Sequence, residues 1–392
     1  MSEILSRRRE FLFLYDIRMG NPNGDPDENR PRRLPDGTFY VSDVRLKRFV
    51  RDWLKTQGEA ILVDRPEDAA TNLTGRVQHF LASKPESIRA ECEHYQKLSQ
   101  SMKEATRAAA AKDKKPKRGQ KPEPAVENEP TGDEVTTQED ALSGSSEEGG
   151  TDVTTARDAR GGRLKADAGR TVVSIILKSF IDARLFGSSL AFKDWDIEPR
   201  PKTLTGAVQI NMGEVLHEAH EVDIAGTSTF ASAEEKTAGT FTTFYGLRYG
   251  LVAFNGIANE HSAKLSQLTD DDYEQFLEAL WRSVSSSPTA NTRSKMGQVP
   301  RLLVDITYRS GSEFQFGCLL DYAKVLPKGV PESAIASPSD YELDLTRLAD
   351  RLAHSSVETV RCAIHPDMSH RPADLPWDSW DLYGSLRVAK GA

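Results

Sequence analysis

A strongly apolar segment near the N-terminus is the feature that most restricts the fold. Residues 10–20 alternate with a period of two, and the five residues Phe11–Tyr15 are apolar on both sides of that alternation. A strand with two apolar faces needs cover on both sides, which predicts a central strand of a sheet. The turn formers of Asn21-Pro-Asn-Gly-Asp-Pro26 follow directly and end the strand.

The next regular segment is a basic amphipathic helix. Ser42 or Asp43 is a suitable N-cap and Gly58 a suitable C-terminal stop, so the sequence predicts a helix that runs to about Gln57. Its apolar residues form one stripe, and five basic residues lie off that stripe: Arg45, Lys47, Arg48, Arg51 and Lys55. A strand, a loop and a helix in this order open a split βαβ arrangement.

Periodicity predicts a mixture of helices and strands over the rest of the chain. We expect a helix over Thr171–Gly187, strands over Thr205–Gly213 and Phe241–Ile257, a helix capped at Thr269 and ending near Val284, a hairpin of Arg301–Tyr308 with Phe314–Tyr322, and a short helix over Tyr341–His354. Residues 214–240 lack sustained periodicity and are predicted to protrude as a hairpin between two core strands.

Charge is distributed unevenly along the 392 residues, whose formal net charge is −8. That total argues at face value against nucleic-acid binding. Half of it comes from residues 103–152, where a basic stretch, Lys103–Lys121, precedes an acidic one, Glu123–Asp152. Few large apolar residues occur there, so residues 98–165 are predicted to form a disordered low-complexity insertion. The remainder conceals a basic unit between Arg30 and Lys55, which is compatible with phosphate binding.

Several protein classes are excluded by composition. No apolar run approaches the roughly 18 residues of a membrane span, and the N-terminus has no signal-peptide cleavage site. Three cysteines, Cys92, Cys318 and Cys362, cannot form a disulfide framework, which indicates a reducing cytoplasm.

Two features of the N-terminal unit are candidate nucleic-acid contacts. The Asn- and Gly-rich turn Asn21–Asp25 can direct backbone N–H groups and carboxamides toward an oxyanion or a base edge. The basic helix can follow a sugar-phosphate backbone. An ordinary strand-ending loop and a solvated helix face explain the same residues. Farther along, Tyr249–Phe254 matches the aromatic signature of the RNA-recognition fold only in part, and Arg248 stands where that signature has Gly.

Catalytic and metal-binding patterns are weak. His217 and His220 are three apart rather than four, and Cys362 with His365 is an isolated pair, so neither supplies the ligand set of a zinc site. There is no Gly-x-Ser-x-Gly elbow and no Walker loop. Asp223 is a single carboxylate in the predicted hairpin. We therefore expect no metal, no cofactor and no catalytic residue.

Longer runs of the sequence are more specific than these single motifs. They are Phe11–Asp16, Asn21–Arg32, Ser42–Arg48 with Arg51-Asp52, Ile181–Gly187, Thr205–Gln209, Gly226–Phe230, Ala238–Phe241 and Asn291–Lys295, and together they cover most of the chain outside the insertion. In these runs and in their order the chain resembles the Cas seven family, the backbone subunits of type I CRISPR effector (Cascade) complexes, and most closely the subtype I-B branch.

The resemblance implies an α+β, hand-shaped fold. Its RRM-like (ferredoxin-like) palm and its fingers would be formed by residues 1–97 and 166–392, and a thumb hairpin by residues 214–240. It also implies that several copies line a guide crRNA and that each thumb displaces one base of the guide–target duplex. The subunit itself would not be a nuclease. Expected partners are guide crRNA, target DNA, copies of the chain in a helical filament, and the large, small and guide-processing Cascade subunits, without any membrane.

Thirteen residues are expected to contact RNA in such a subunit. The basic helix and the 293–295 segment would bind phosphates, and amide side chains would form hydrogen bonds with ribose or a base edge. Apolar thumb residues would insert between bases. The set is Asn21, Asn23, Arg45, Lys47, Arg48, Arg51, Gln209, Met212, Phe230, Arg248, Arg293, Ser294 and Lys295. Two alternatives stay open: a backbone subunit that cleaves target RNA through a thumb acid such as Asp223, and a guide-independent RNA-binding protein.

Overall fold

The computed structural model describes residues 3–65, 71–83, 85–113, 152–199, 201–227 and 241–382. Its strands are β1 (Arg9–Gly20), β2 (Tyr40–Val41), β3 (Gly187–Ser189), β4 (Thr203–Thr205), β5 (Val208–Ile210), β6 (Gly213–Val215), β7 (Glu221–Thr227), β8 (Phe241–Ala258), β9 (Gln298–Tyr308), β10 (Lys324–Pro327), β11 (Tyr341–Asp344), β12 (Val357–Ile364), β13 (His370–Arg371) and β14 (Asp378–Ser379). Its α-helices are α1 (Asp43–Thr56), α2 (Leu73–Ser83), α3 (Arg89–Asp113), α4 (Asp152–Ser179), α5 (Ile181–Phe186), α6 (Glu260–Ser266), α7 (Asp270–Ser286) and α8 (Thr346–Leu352).

One large sheet organises most of these elements. Its strands run in the order β14-β12-β9-β1-β8-β6-β2, and β5 and β7 also pair with β8. Strand β1 is antiparallel to both neighbours, with Phe13 opposite Phe254 of β8 and Leu303 of β9. The predicted central strand is therefore confirmed. The chain passes from β8 through α6 and α7 to β9, so these two strands are parallel to each other with β1 between them.

Both faces of β1 are buried, as its double apolar pattern predicts. Phe11, Phe13 and Tyr15 pack with apolar residues of α1 and α7 on one face. Leu12 and Leu14 pack on the other face with β10, β11 and α8. The small sheet that covers this second face has the order β10-β11-β13.

The two long helices of the first face begin where the sequence predicts. The Ser42 hydroxyl accepts a hydrogen bond from Arg45 N and caps α1, and Gly58, with φ of 89°, follows the end of the helix. Helix α7 carries a capping box, in which Thr269 and Asp272 bind each other's backbone N–H. Such caps satisfy N–H groups that have no partner within the helix.

Several expected elements in the middle of the chain are shorter than predicted. The helix over Thr171–Gly187 is interrupted at Phe180, which separates α4 from α5. The strand over Thr205–Gly213 is reduced to β5, with β4 ending before it and β6 beginning after it. Gly206 lies between β4 and β5, where the backbone passes so close to α5 that a Cβ would lie 2.3 Å from the Leu185 carbonyl oxygen.

Two predictions in the C-terminal third are wrong. Residues 314–322 do not pair with β9, because the backbone N–H groups of Phe316 and Gly317 donate instead to the Glu10 carboxylate, at 3.0 and 3.1 Å. The segment 341–354 is not one helix. Tyr341 and Leu343 are buried while Glu342 and Asp344 are not, which is the alternation of β11, and only Thr346–Leu352 is helical.

The predicted 214–240 hairpin corresponds to β7 and the first part of β8. These strands pair antiparallel from Glu221↔Leu247 to Thr227↔Phe241. The hairpin therefore begins later than predicted and includes part of a strand that continues into the large sheet. Residues 228–240, among them Phe230, lie outside the described residues.

The chain divides into two compact units. The first, which contains the large sheet, comprises Met1–Ser83, Ile175–Lys193 and Pro201–Ala392. The second comprises Lys84–Ser174 and Asp194–Arg200, and within it Trp195 donates a 2.8 Å hydrogen bond to the Tyr95 hydroxyl. The predicted insertion, 98–165, falls inside this second unit. Its described ends are helical, since α3 extends to Asp113 and α4 begins at Asp152.

Candidate nucleic-acid interface

The basic face of α1 is extensively ion-paired. Its cations bind carboxylates on the helix itself and on the segment that follows it: Lys47 with Asp43 at 2.9 Å, Arg48 with Asp52 at 2.6 Å, and Lys55 with Asp64 at 2.5 Å. The local excess of basic residues in the sequence therefore does not translate into an equal excess of free positive charge.

Arg51 has the most buried of these pairings. Its Nε donates to Asp182 Oδ2 at 2.9 Å, and only 11% of the Arg51 side chain and none of the Asp182 side chain is exposed. The same carboxylate accepts the backbone N–H groups of Leu62 and Val63, at 2.7 and 3.1 Å. Arg51 thus helps to fix the segment after α1 to α5.

The Asn-rich turn after β1 is held together by its own amides. Asn23 Oδ1 accepts from both the backbone N–H and the hydroxyl of Ser42, each at 2.8 Å, and so positions the start of α1. Asn21 Nδ2 donates to the Asn29 carbonyl at 2.6 Å. Both side chains are buried. Their hydrogen bonds build the loop rather than present amides at its surface.

The same loop is attached to the base of the β7–β8 hairpin. Arg30 and Arg33 each bind the Glu221 carboxylate at 2.8 Å, and Glu221 is the first residue of β7. The Arg30 guanidinium also lies 3.9 Å from the ring centroid of Tyr245 on β8. Both strands of the hairpin are therefore connected to the turn that follows β1.

Lys295 and Arg45 are two half-buried cations beside this turn. Lys295 Nζ donates to the Asn21 carbonyl at 2.6 Å, and Arg45 donates to the Thr289 carbonyl at 2.9 Å. Burial, with a smaller contribution from nearby Arg45, lowers the pKa of Lys295 to about 8. Burial also lowers the pKa of Arg45. Within the described part of the chain, no carboxylate forms an ion pair with Lys295.

Three arginines at the adjoining end of the sheet have free guanidinium groups. Arg18 lies opposite Tyr249 in the β1–β8 register, and Arg248 is the residue before Tyr249 in β8. The backbone N–H of Arg18 donates to the Gly297 carbonyl at 3.3 Å. That bond brings the loop containing Arg293 to the same end. All three side chains are exposed, and none has a hydrogen bond or ion pair to any residue that the structure describes.

Exposed methionines accompany these arginines. Met19 is 46% exposed and Met296 is 58% exposed. We call Arg18, Met19, Arg248, Arg293 and Met296 the sheet-end cluster. Cationic groups beside flexible apolar side chains can bind phosphates and contact bases at the same time.

Gly297 sets the geometry of this cluster. Its φ is +90°, and a Cβ would lie 2.9 Å from the carbonyl oxygen of Arg18. A side chain at this position would therefore be strained and would separate the loop from β1. The glycine allows Met296 and Arg293 to lie beside the end of the central strand.

The structure brings six of the thirteen predicted contacts into this region: Asn21, Arg45, Arg248, Arg293, Ser294 and Lys295. Gln209 and Met212 lie toward the other end of β8, where Gln209 is opposite Ile257 and donates to the Gly206 carbonyl at 2.9 Å. Asn23, Lys47, Arg48 and Arg51 belong to the paired α1 region. Phe230 lies outside the described residues.

Sequence reasoning missed Arg18, Met19 and Met296. The change from apolar to charged residues at Arg18 was a usable signal for the exposed end of β1. Met19 has a left-handed backbone, with φ of 51°, which cannot be predicted from the fact that the residue is a methionine. Met296 joins the cluster only through contact between loops that are distant in sequence.

The partial aromatic signature at Tyr249–Phe254 does not form an exposed stacking surface. Tyr249 and Phe254 are both buried. The Tyr249 hydroxyl donates to Asp16 Oδ2 at 2.9 Å, and the same carboxylate accepts from Arg301 at 2.8 Å. Burial raises the pKa of both Tyr249 and Asp16. This group is a buried polar network under the small sheet.

Metal-binding geometry is missing from the described part of the chain, where no three His, Cys, Asp or Glu side chains form a candidate ion site. His217 is buried against Tyr249, and its Nε2 accepts the backbone N–H of Leu251 at 3.3 Å. Burial raises the pKa of the Cys362 thiol to about 12. Asp223 is exposed on β7. Among the described helices, none is both long and apolar enough to cross a bilayer.

Comparison with known proteins gives one family. A family model described as CRISPR-associated protein Cas7 matches residues 7–346. A relative of the same description from Haloferax volcanii is 26% identical over 362 residues, which is 88% of this chain and 82% of the relative. A solved structure described as a CRISPR RNA-guided surveillance complex, pre-nicking, covers 95% of this chain and 96% of its own, at 12% identity and a TM-score of 0.49. Another, described as a CRISPR RNA-guided surveillance complex, is 13% identical with a TM-score of 0.43 and covers 95% and 94%.

Proposed function

Since the chain belongs to the CRISPR-associated protein Cas7 family, we propose that it is a backbone subunit of a CRISPR RNA-guided surveillance complex. Several copies bind along one guide crRNA and present it for pairing with target DNA. The observation that carries the proposal is the sheet-end cluster. Its three arginines have no acceptors within the described structure, and phosphates are the acceptors that guanidinium groups match best.

The strand order supports an RRM-like palm. From β9 through β1 and β8 to β6, all neighbours are antiparallel, and α1 and α7 lie on the connections that cross the sheet. A split βαβ, or ferredoxin-like, fold has the same strand order and crossing helices, which supports this part of the proposal. The β7–β8 hairpin is then the described part of the thumb, and residues 98–165 are an insertion in the chain.

Guide binding by this subunit does not depend on spacer sequence. Arg18, Arg248 and Arg293 bind phosphates, Met19 and Met296 contact bases or riboses, and base edges stay available for pairing with the target. Gln209, Met212 and Phe230 act farther along the guide, toward the other end of β8 and in the thumb. The remaining partners are further copies of the chain in a helical filament and the large, small and guide-processing subunits.

We assign the subunit to a type I system, subtype I-B, located in the cytoplasm, and to a non-catalytic role. The sequence pattern and the Haloferax volcanii relative favour the subtype. Target-RNA cleavage through Asp223 is not favoured, because this carboxylate is exposed on a strand and the described residues supply no metal site beside it. A guide-independent RNA-binding protein is not favoured by the family membership.

The test is guide-RNA binding by the full chain with Arg18→Gln, Arg248→Gln and Arg293→Gln combined. Each lost single-strand phosphate contact lowers the slope of log K against log salt by about 0.7, so the triple variant loses about 2 from the slope. The free energy of unfolding should stay within about 1.5 kcal/mol of the parent, because each of the three exposed side chains contributes at most about 0.5 kcal/mol.

The matched control replaces three exposed lysines outside the cluster, with Lys264→Gln, Lys324→Gln and Lys328→Gln. It removes the same formal charge and should leave the slope close to that of the parent. Equal losses in the two variants would mean that only net charge matters and that the cluster is not the guide-binding site.

A further inference from the structure

A cavity of about 370 Å³ lies beside α1 and α2, away from the sheet-end cluster. Its polar lining consists mainly of cations and neutral hydrogen-bonding groups: Arg48, Arg65, Asn72, Arg76, Ser188 and Ser189. Asp64 is the one carboxylate among the lining residues that the structure describes. The volume is within the range of pockets that hold small ligands, about 300–1,000 Å³.

The guanidinium groups of this cavity retain unused donors. Arg65 is exposed and has no ion pair to any described residue. Arg76 donates from one terminal nitrogen to the Ile61 carbonyl at 2.7 Å, while its Nε is buried without a partner in the described structure. Arg48 binds Asp52 at 2.6 Å and approaches Asp64 at 3.6 Å, with 41% of its side chain exposed. Among the described lining residues, Arg65 and Arg76 therefore have no carboxylate partner, whereas Arg48 is already paired with Asp52.

Hydrogen bonds fix two of the described segments that line the cavity. Asp182 binds the backbone N–H groups of Leu62 and Val63 on one side. On the other side, Thr74 Oγ1 donates to the Lys193 carbonyl at 3.0 Å and accepts from the Lys193 backbone N–H at 2.9 Å. A rigid cavity binds its ligand without first having to order its own walls.

We propose that this cavity binds a phosphodiester group of a single-stranded nucleic acid, at a site separate from the sheet-end cluster. Arginine forks match phosphate oxygens in pairs, and the Ser188 and Ser189 hydroxyls and the Asn72 amide can donate to the same oxygens or to the adjoining sugar. An anion here also offers an acceptor to the exposed guanidinium group of Arg65, which has no ion pair to any described residue. The ligand class rests on the proposed function, under which both guide RNA and target DNA pass along the subunit.

The experiment uses the full chain with Arg65→Gln and, separately, Ser189→Glu. Arg65 and Ser189 are both exposed, so the two variants should fold normally. The controls are Lys328→Gln and Ser355→Glu, which make the same charge changes at exposed positions outside the cavity. Salt series are measured for guide RNA binding to the free chain, for complementary single-stranded DNA binding to the chain–guide assembly, and for a random-sequence pentaribonucleotide binding to the free chain.

We expect each cavity variant to weaken binding about threefold to tenfold and to lower the salt slope by about 0.7 relative to its control. A loss in the guide arm assigns the cavity to the guide backbone, and a loss confined to the DNA arm assigns it to the target strand. Equal behaviour of variants and controls in all three arms overturns the proposal and leaves the proposed function intact. If the parent chain binds no guide, the proposed function fails, and the pentaribonucleotide arm still tests the cavity.

Discussion

The basic face of α1 and the sheet-end cluster hold similar cations in opposite circumstances. On α1, Lys47, Arg48, Arg51 and Lys55 each bind a carboxylate. At the sheet end, Arg18, Arg248 and Arg293 have no such partner among the described residues. The first set is dense in the sequence, whereas the second is drawn from three distant segments. In these two regions, the density of basic residues along the sequence therefore does not indicate where unpaired positive charge lies after folding.

The reason for this difference lies in the acids. Asp43 and Asp52 are on α1 itself and were visible beside the basic residues. Asp64 and Asp182 come from the following segment and from α5, and only folding brings them to the helix. The order of charged residues along the chain therefore identifies the cations of a surface, but it does not identify the carboxylates that pair with them after folding.

The largest expected effect is that of Arg51→Ala, which tests whether the α1 cations are structural. Asp182 would remain buried without its cation, and removing one partner of a buried pair costs about 3–5 kcal/mol. Urea denaturation should show this loss of unfolding free energy. A loss below about 1 kcal/mol would mean that Arg51 is dispensable for folding and would return it to the list of candidate RNA contacts.

A smaller, pH-dependent effect is expected for Lys295, a half-buried cation that has no carboxylate partner among the described residues. Its pKa is lowered from 10.5 to about 8, so between these pH values the folded protein binds fewer protons than the unfolded chain. The unfolding free energy contributed by Lys295 must therefore rise as the pH increases through this range, and must be constant below about pH 8.

The measurement is the difference in unfolding free energy between the parent and Lys295→Met at pH 7, 8, 9 and 10. The difference should move in favour of the parent above pH 8. A difference that does not change with pH would show that the pKa of Lys295 is not lowered by folding. Lys295 would then not differ in this respect from the ion-paired cations of α1.

The smallest effect is expected for Lys55→Gln. Its pair with Asp64 lies on a side chain that is 56% exposed, and exposed ion pairs contribute about 0–1 kcal/mol. Unfolding free energy should change by less than about 1 kcal/mol, and the salt slope of guide binding should not change. A slope lowered by about 0.7 would place the α1 face in contact with phosphate after all.

The parts of the fold that could be predicted from the sequence depend on local rules. The two-sided burial of β1, the Ser42 cap of α1 and the Thr269–Asp272 capping box all follow from neighbouring residues. Residues 314–322 could not be predicted in the same way, because Glu10, some 300 positions earlier, accepts their backbone N–H groups. Apolar and acidic residues alternate over Tyr341–Asp344, which is a local sequence signal for β11 that the expected helix over Tyr341–His354 does not take into account.

The sequence identifies the segments that form the candidate site, but it does not identify all of the residues whose side chains are free to contact a ligand there. Arg248, Arg293 and Lys295 were identified and lie at or beside the sheet-end cluster. Asn21 and Asn23 were identified as ligand contacts, yet their amides bind Asn29 and Ser42. Arg18 joins the cluster through the β1–β8 register and the Gly297 contact, neither of which a single segment reveals.

The turn between β1 and α1 has a consequence for which changes the chain tolerates. The same stretch, Asn21–Arg33, positions the start of α1 through Asn23, holds the Ser294–Lys295 loop through Asn21, and binds Glu221 at the root of the hairpin through Arg30 and Arg33. A residue inserted or deleted here would displace the helix, the hairpin and the arginine loop together. Variation in length should therefore accumulate elsewhere, while this turn keeps a constant number of residues.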